Sequence, residues 1–228
     1  MTARPRRSAR SIVTKREART ELWRDGSPKV LAAAIGLSAV ARRRAGPWRP
    51  ADAVPVGVVA AMHPFAEWVL HRHVLHRPPL RLFERTIDVA AGHRAHHRDP
   101  DRVDQILLGG RYAIADSLMI ATGMRLGAPV LARLVHADPV RATRTALVAA
   151  CAALAVYEWS HLLIHTSYQP ASAWFARVRT NHRLHHHRNE HYWMGITSNL
   201  ADRAFGTDAR RTDVPLSTTA RTLGVATG

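Results

Sequence analysis

The chain has 228 residues, enough for one domain with a self-sufficient core, and a single cysteine, Cys151, which excludes both a disulfide framework and a thiolate metal site. Its formal charge is +16, almost all from arginine, with lysine only at Lys15 and Lys29, a usage expected of a GC-rich bacterial genome. So basic a balance implies an anionic partner, either nucleic acid or a membrane surface, and the placement of the charges decides which.

Residues 1–29 are basic and polar and are expected to be poorly ordered. They do not read as a signal peptide, because the basic leader is long and no cleavage-like stretch follows Val30–Ala41. Residues 30–206 read as one domain built from apolar segments. Val30–Ala41 is uncharged, and Ala53–Leu70 is apolar except for His63 and Glu67. Pro78-Pro79 ends the helix carrying His71 and His76. Ile106–Val135 is interrupted by Arg111, Asp116 and Arg125, and Thr145–Leu163 is apolar until Glu158 and His161. Pro170 closes that helix after His165. Residues 207–228, rich in Thr, Ala, Asp and Arg, read as a flexible tail.

A spanning helix needs about 20 apolar residues, and none of these segments is a clean span. There is no period-2 alternation and no hairpin signal, so the expectation is all-α. We expect an integral membrane bundle of about four segments in two hairpins, and the family resemblance set out below implies a helical, His-rich cap on it. The basic residues before Lys29 place that cap on the cytoplasmic side of a bacterial membrane. Arg42–Arg44 then falls in the opposite loop if Val30–Ala41 spans, so residues 30–50 either span or re-enter, and the path of 106–135 is equally open. The competing reading is a soluble helical domain.

An internal repeat organises the histidines. The first half holds Glu67, His71, His76 and then His93-Arg94-Ala95-His96-His97; the second holds Glu158, His161, His165 and then His182-Arg183-Leu184-His185-His186. An offset of 89 carries His76, His93, Arg94, His96 and His97 onto His165, His182, Arg183, His185 and His186. On a helix, residues three and four apart share a face, so each HxxHH projects three imidazoles from one side, and His161 and His165 also align. His71 and His76 are five apart, which an ideal helix does not align; a helix end or a π-bulge would bring them together.

The candidate ligands are therefore His71, His76, His93, His96, His97, His161, His165, His182, His185 and His186. Ten imidazoles are too many for one ion and suit two; imidazole binds iron, copper, nickel and zinc alike. Glu67 and Glu158 share a face with His71 and His161, where each would orient a ring through its second nitrogen, the competing reading being an ion pair with a nearby arginine. His63, His73, His136, His187 and His191 fall outside the pattern and are expected to be structural, surface or supporting residues.

HX4H, HxxHH, HX3H and HxxHH, in that order, together with Tyr157-Glu158-Trp159-Ser160-His161, Asn181-His182-Arg183-Leu184-His185-His186, Gly195-Ile196-Thr197-Ser198, Asp202, Phe205 and Gly206, resemble the fatty acid hydroxylase superfamily of sterol desaturases, fatty acid 2-hydroxylases and carotenoid hydroxylases. The resemblance covers about residues 55–206. It implies membrane helices capped by a dinuclear iron site held by the ten histidines, with dioxygen and two electrons converting an unactivated C–H of a lipid to an alcohol or an alkene. Zinc can take the same ligands in a purified form. It also implies a separate electron donor, a ferredoxin, a cytochrome b5-like protein or a reductase.

Within this frame a carotenoid is the rival substrate. A rival of another class is a membrane metal-handling protein, which predicts ligands at the bilayer midplane rather than at helix ends. Nucleic acid is not expected as a partner, because the arginines are dispersed beside apolar segments rather than interleaved with aromatics. Arg94 and Arg183 are candidates for contact with an anionic lipid headgroup.

Overall fold

The computed structural model describes residues 7–225. In chain order they form α1 (Lys15–Arg24), α2 (Ser27–Arg43), α3 (Ala53–Leu70), a two-stranded hairpin of β1 (Leu80–Leu82) and β2 (Arg85–Ile87), then α4 (Ala91–Arg98), α5 (Val103–Ile106), α6 (Gly110–Leu134), α7 (Pro139–His165), α8 (Ala173–His187) and α9 (Leu200–Ala204). The ends follow local chemistry. The Asp138 carboxylate takes the Arg141 N–H at 2.7 Å at the start of α7, Ser172 caps α8, and Gly109 at φ 72° breaks the chain between α5 and α6.

Among the described residues, three stretches are long and apolar enough to cross a membrane: Pro50–Leu75, Val103–Leu134 and Pro139–His165. Little of Val103–Leu134 is buried within the protein, and Ile114, Leu118, Leu126, Val130 and Leu134 point outward, as a lipid-facing surface requires. The expected fourth segment, around Val30–Ala41, lies in α2, which has 17 residues and is not among these three.

The chain divides into two compact units. One comprises Leu22–His63 and Leu108–Trp159. In it α2 packs on α6, and a Cβ on Gly26 would come within 3.2 Å of the Gly110 backbone, so the two chains meet where neither carries a side chain. In the last turn of α2, Arg42 is buried and reaches Asp52 at 2.6 Å and the Thr145 hydroxyl at 2.8 Å. Glu158 sits in this unit, accepting from the Ser27 hydroxyl at 2.5 Å and the Leu108 N–H at 3.0 Å.

The other unit holds the chain up to Glu21, Pro64–Leu107 and everything from Ser160 onward. Trp68, Met194 and Ala201 form a small core with Phe65 against it, and the Trp68 indole N–H reaches the Thr207 hydroxyl at 2.9 Å.

Three features add to what the sequence showed. Within residues 7–29, α1 forms, Ala9 and Ile12 are buried, and the Ala9 N–H reaches the Asp101 carbonyl at 2.7 Å. Residues 1–6 lie outside the described residues. Val214 and Ala220 are buried, the Ser217 N–H meets the Arg188 carbonyl at 2.8 Å, and Arg188 donates to the Val214 carbonyl at 2.7 Å. Finally, β1 and β2 pair antiparallel, Leu80 with Ile87, turning at Phe83 with φ 54°. Two three-residue strands are too short to leave a readable alternation.

Candidate metal centre

The five-residue gap between His71 and His76 is absorbed by a π-helical turn. His71–Leu75 continues α3 with the His76 N–H bonded back to the His71 carbonyl at 3.1 Å, the i→i+5 bond that a wider turn makes. His71 and His76 thereby face the same way, their rings 4.8 Å apart. His161 and His165 lie on the last turns of α7; α4 and α8 present the two HxxHH motifs.

All ten candidate histidines come together, in two groups of five. His71, His76, His93, His97 and His185 form one; His96, His161, His165, His182 and His186 form the other, and within each the ligand atoms lie within 4.8 Å of one another. Opposite donors around an ion are separated by roughly 4 Å, twice the metal–imidazole bond, so each group has the dimensions of a coordination shell. The groups adjoin: the His97 and His186 rings are 4.2 Å apart. None of His63, His73, His136, His187 and His191 belongs to either.

The membership is crossed. Each HxxHH gives its first and last imidazole to the group of its own half and its middle one to the other: His96 joins the second-half histidines, His185 the first-half ones. These two residues are equivalent under the offset of 89, so the exchange is reciprocal.

The imidazoles suit a cation and little else. His71, His97 and His185 each donate Nδ1–H to a backbone carbonyl, of Met194 at 2.6 Å, Ala220 at 2.7 Å and Tyr192 at 2.8 Å. A neutral ring so engaged carries a bare lone pair on Nε2. Yet the Nε2 atoms of His97 and His185 stand 3.3 Å apart, with no proton available to either. In addition, buried Nε2 of His76 and His165 and both ring nitrogens of His96 have no hydrogen-bond partner. Burial leaves such atoms costly unless something accepts their lone pairs. Protonation is opposed as well. Burial first, then the crowding of other imidazoles, holds His93, His96, His182, His185 and His186 well below the ordinary histidine range, and burial brings His97 down to about 3. Ten neutral, convergent imidazoles fit two metal ions.

The supporting residues differ from those expected. Glu158 is held by Ser27 and Leu108 and accepts no imidazole N–H; Glu67 takes the backbone N–H groups of Ile196 and Thr197 and the Thr197 hydroxyl, the last at 2.6 Å. Backbone carbonyls orient the rings instead, and they leave no trace in a sequence. Arg94 and Arg183 do not present themselves to a headgroup. Arg94 is 2% exposed, paired with Asp88, and donates to the Arg77 carbonyl at 2.8 Å. Arg183, drawn down by burial to about 10, donates to the Ile164 carbonyl at 3.0 Å and the Thr166 carbonyl at 2.6 Å. Arg77 and Thr166 are again 89 apart, each one residue beyond the second histidine of its pair. Both guanidinia thus clamp an HxxHH helix to the end of the preceding one.

A sequence model of the fatty acid hydroxylase family matches residues 56–207. Among solved structures, the chain resembles full-length Scs7p, in which only the hydroxylase domain is visible, with a TM-score of 0.59 at 18% identity. The match covers 83% of this chain and 66% of that one, so the chain spans just under two thirds of its neighbour's length. No curated protein matches.

Proposed function

The chain belongs to the fatty acid hydroxylase family, and from that premise we propose that it is a membrane di-iron oxygenase that hydroxylates an unactivated C–H bond of a lipid. The observation that carries this is the pair of crossed five-imidazole groups with their bare, convergent lone pairs. Two irons, when bound, supply the activation of dioxygen, with overall stoichiometry R–H + O2 + 2 electrons + 2 protons giving R–OH + H2O. Imidazole does not select iron over zinc; the redox demand of the reaction does.

The chain's own residues hold the site. The ten histidines are the ligands, five to each ion, and their burial keeps them deprotonated and excludes water. Arg94 and Arg183 fix the helices that carry them. The three apolar stretches end or begin beside the histidine motifs, since Pro50–Leu75 contains His71 and Pro139–His165 contains His161 and His165. Ligands at helix ends favour an enzyme acting at the bilayer surface over an ion path at the midplane. The substrate is an acyl, sterol or isoprenoid lipid, and family membership favours alcohol over alkene. Electrons come from a redox partner of the ferredoxin, cytochrome b5-like or reductase class. The basic residues between Arg7 and Lys29 support a site on the cytoplasmic side.

The test is the metal content of detergent-purified protein, wild type against His96→Ala/His185→Ala, which removes one ligand from each group and both crossing links. About two irons per chain in wild type, lost in the double variant, together with a hydroxylated lipid when a reductase and oxygen are supplied, support the reading. No iron after anaerobic reconstitution, or full metal retention in the double variant, overturns it.

A further inference from the structure

The backbone between α8 and α9 divides its hydrogen bonds by direction. The Tyr192 and Met194 carbonyls accept from His185 at 2.8 Å and His71 at 2.6 Å, two imidazoles of the same group. Trp193 between them is left-handed, φ 56°, and fully buried; its N–H goes to the Thr207 carbonyl and its indole N–H to the Ala209 carbonyl, both at 3.0 Å. The next four N–H groups all go to carboxylates. Asp202 takes Met194 and Gly195, each at 2.8 Å; Glu67 takes Ile196 and Thr197, the latter at 3.0 Å. Glu67 is 6% exposed and Asp202 fully buried.

Four successive N–H groups converge on two buried carboxyl groups, the arrangement by which peptide backbones hold acidic side chains. Gly195 permits it: a Cβ there would lie 2.0 Å from the Ser198 carbonyl oxygen and 2.9 Å from Asp202 Oδ2. Thr207 adds its hydroxyl to Asp202 at 2.5 Å. In the other group, the buried Nδ1 atoms of His96, His182 and His186 have no hydrogen-bond partner.

We propose that Glu67 and Asp202 are positioning residues for the ion held by His71, His76, His93, His97 and His185. By gripping residues 194–197 they aim the Tyr192 and Met194 carbonyls at His185 and His71, fixing both rings as Nδ1–H tautomers whose Nε2 lone pairs face the ion. The inference rests on the metal-binding reading above. It assigns Glu67 an action through a backbone loop in place of a direct bond to a ligating ring, and it predicts that the two ions depend on different supports.

Cobalt(II) binding to the detergent-purified full chain tests this, by elemental analysis and by the visible spectrum of the bound ion. His165→Ala cripples the second group and reports on the first; His76→Ala does the reverse. In the His165→Ala background, Glu67→Ala should weaken cobalt binding 10–100-fold, the usual cost of losing an outer-shell partner. Glu67→Gln, which keeps an acceptor oxygen for the loop, should recover most of it. In the His76→Ala background, Glu67→Ala should leave both affinity and spectrum unchanged. Thr197→Val, which removes only one hydroxyl donor to Glu67, should give a smaller loss with the same selectivity and serves if Glu67→Ala does not fold. Equal losses in both backgrounds, or none in the first, overturn the inference while leaving the metal reading intact. A wild-type chain that binds no cobalt overturns the metal reading, and the inference with it.

Discussion

Arg183→Ala should destabilise the chain rather than loosen its hold on a charged lipid. The guanidinium sends Nε to the Ile164 carbonyl at 3.0 Å and Nη2 to the Thr166 carbonyl at 2.6 Å. Both carbonyls sit where α7 runs out of intrahelical donors and where the helix dipole is negative, so a cation there gains twice. Hydrogen bonds from a charged donor contribute about 1.5–3 kcal/mol each. Thr166 keeps a second donor, Arg179 at 3.2 Å, so the loss should be about 2–4 kcal/mol and not the full sum. For a chain of this length that is a fall in Tm of roughly 5–15 °C. Lysine should recover little, because one ammonium lacks the planar fork that serves both carbonyls. The assay is thermal unfolding in a single detergent, run beside KM for an anionic and a neutral lipid. A Tm unchanged by Arg183→Ala, with KM rising for the anionic lipid alone, would refute the clamp and restore the headgroup contact.

Gly195→Ala should cost at least about 3 kcal/mol, since its Cβ would fall inside the Ser198 carbonyl and neither backbone nor the buried Asp202 can retreat; folded yield and Tm in detergent measure it. Truncation after Asp213 should lower metal retention roughly 10-fold or more, because it deprives His97 of the Ala220 carbonyl and Glu190 of the Thr219 hydroxyl. Metal content after dialysis against a weak chelator reads this, and unchanged retention would show that the C-terminal segment only lies alongside the site.

Helical spacing made the two histidine clusters legible. Residues three and four apart must share a face, so each HxxHH was visible as a three-imidazole surface, and the five-residue gap between His71 and His76 called for a helix end or a π-bulge, of which the chain forms a π-turn. Spacing says which side chains point together but not what they point at. It gave no hint that His96 and His185 exchange partners, nor that Glu158 would be taken by Ser27, 131 residues away. The arginines misled for a physical reason. A basic residue beside a lipid enzyme suggests an anion, yet the four unsatisfied carbonyls at every helix end compete for the same donors, and for Arg94 and Arg183 they won. The packing of the C-terminal segment was hidden by composition. Its contribution to the site is a backbone carbonyl, Ala220, and any residue supplies one.

The offset of 89 relates more than sequence. It relates the middle histidines His96 and His185, the arginines Arg94 and Arg183, and the clamped carbonyls of Arg77 and Thr166. Because the middle histidines cross, neither half contains a complete group: each supplies four imidazoles to its own and borrows the fifth. An ion in one group would therefore also touch a helix of the other half. The symmetry is not complete. The first half needs one more residue in its histidine pair, and only the first group has the Tyr192 and Met194 carbonyls, held in place by Glu67 and Asp202. A repeat that builds two like imidazole groups but unlike outer supports would give ions bound in the two groups different affinities.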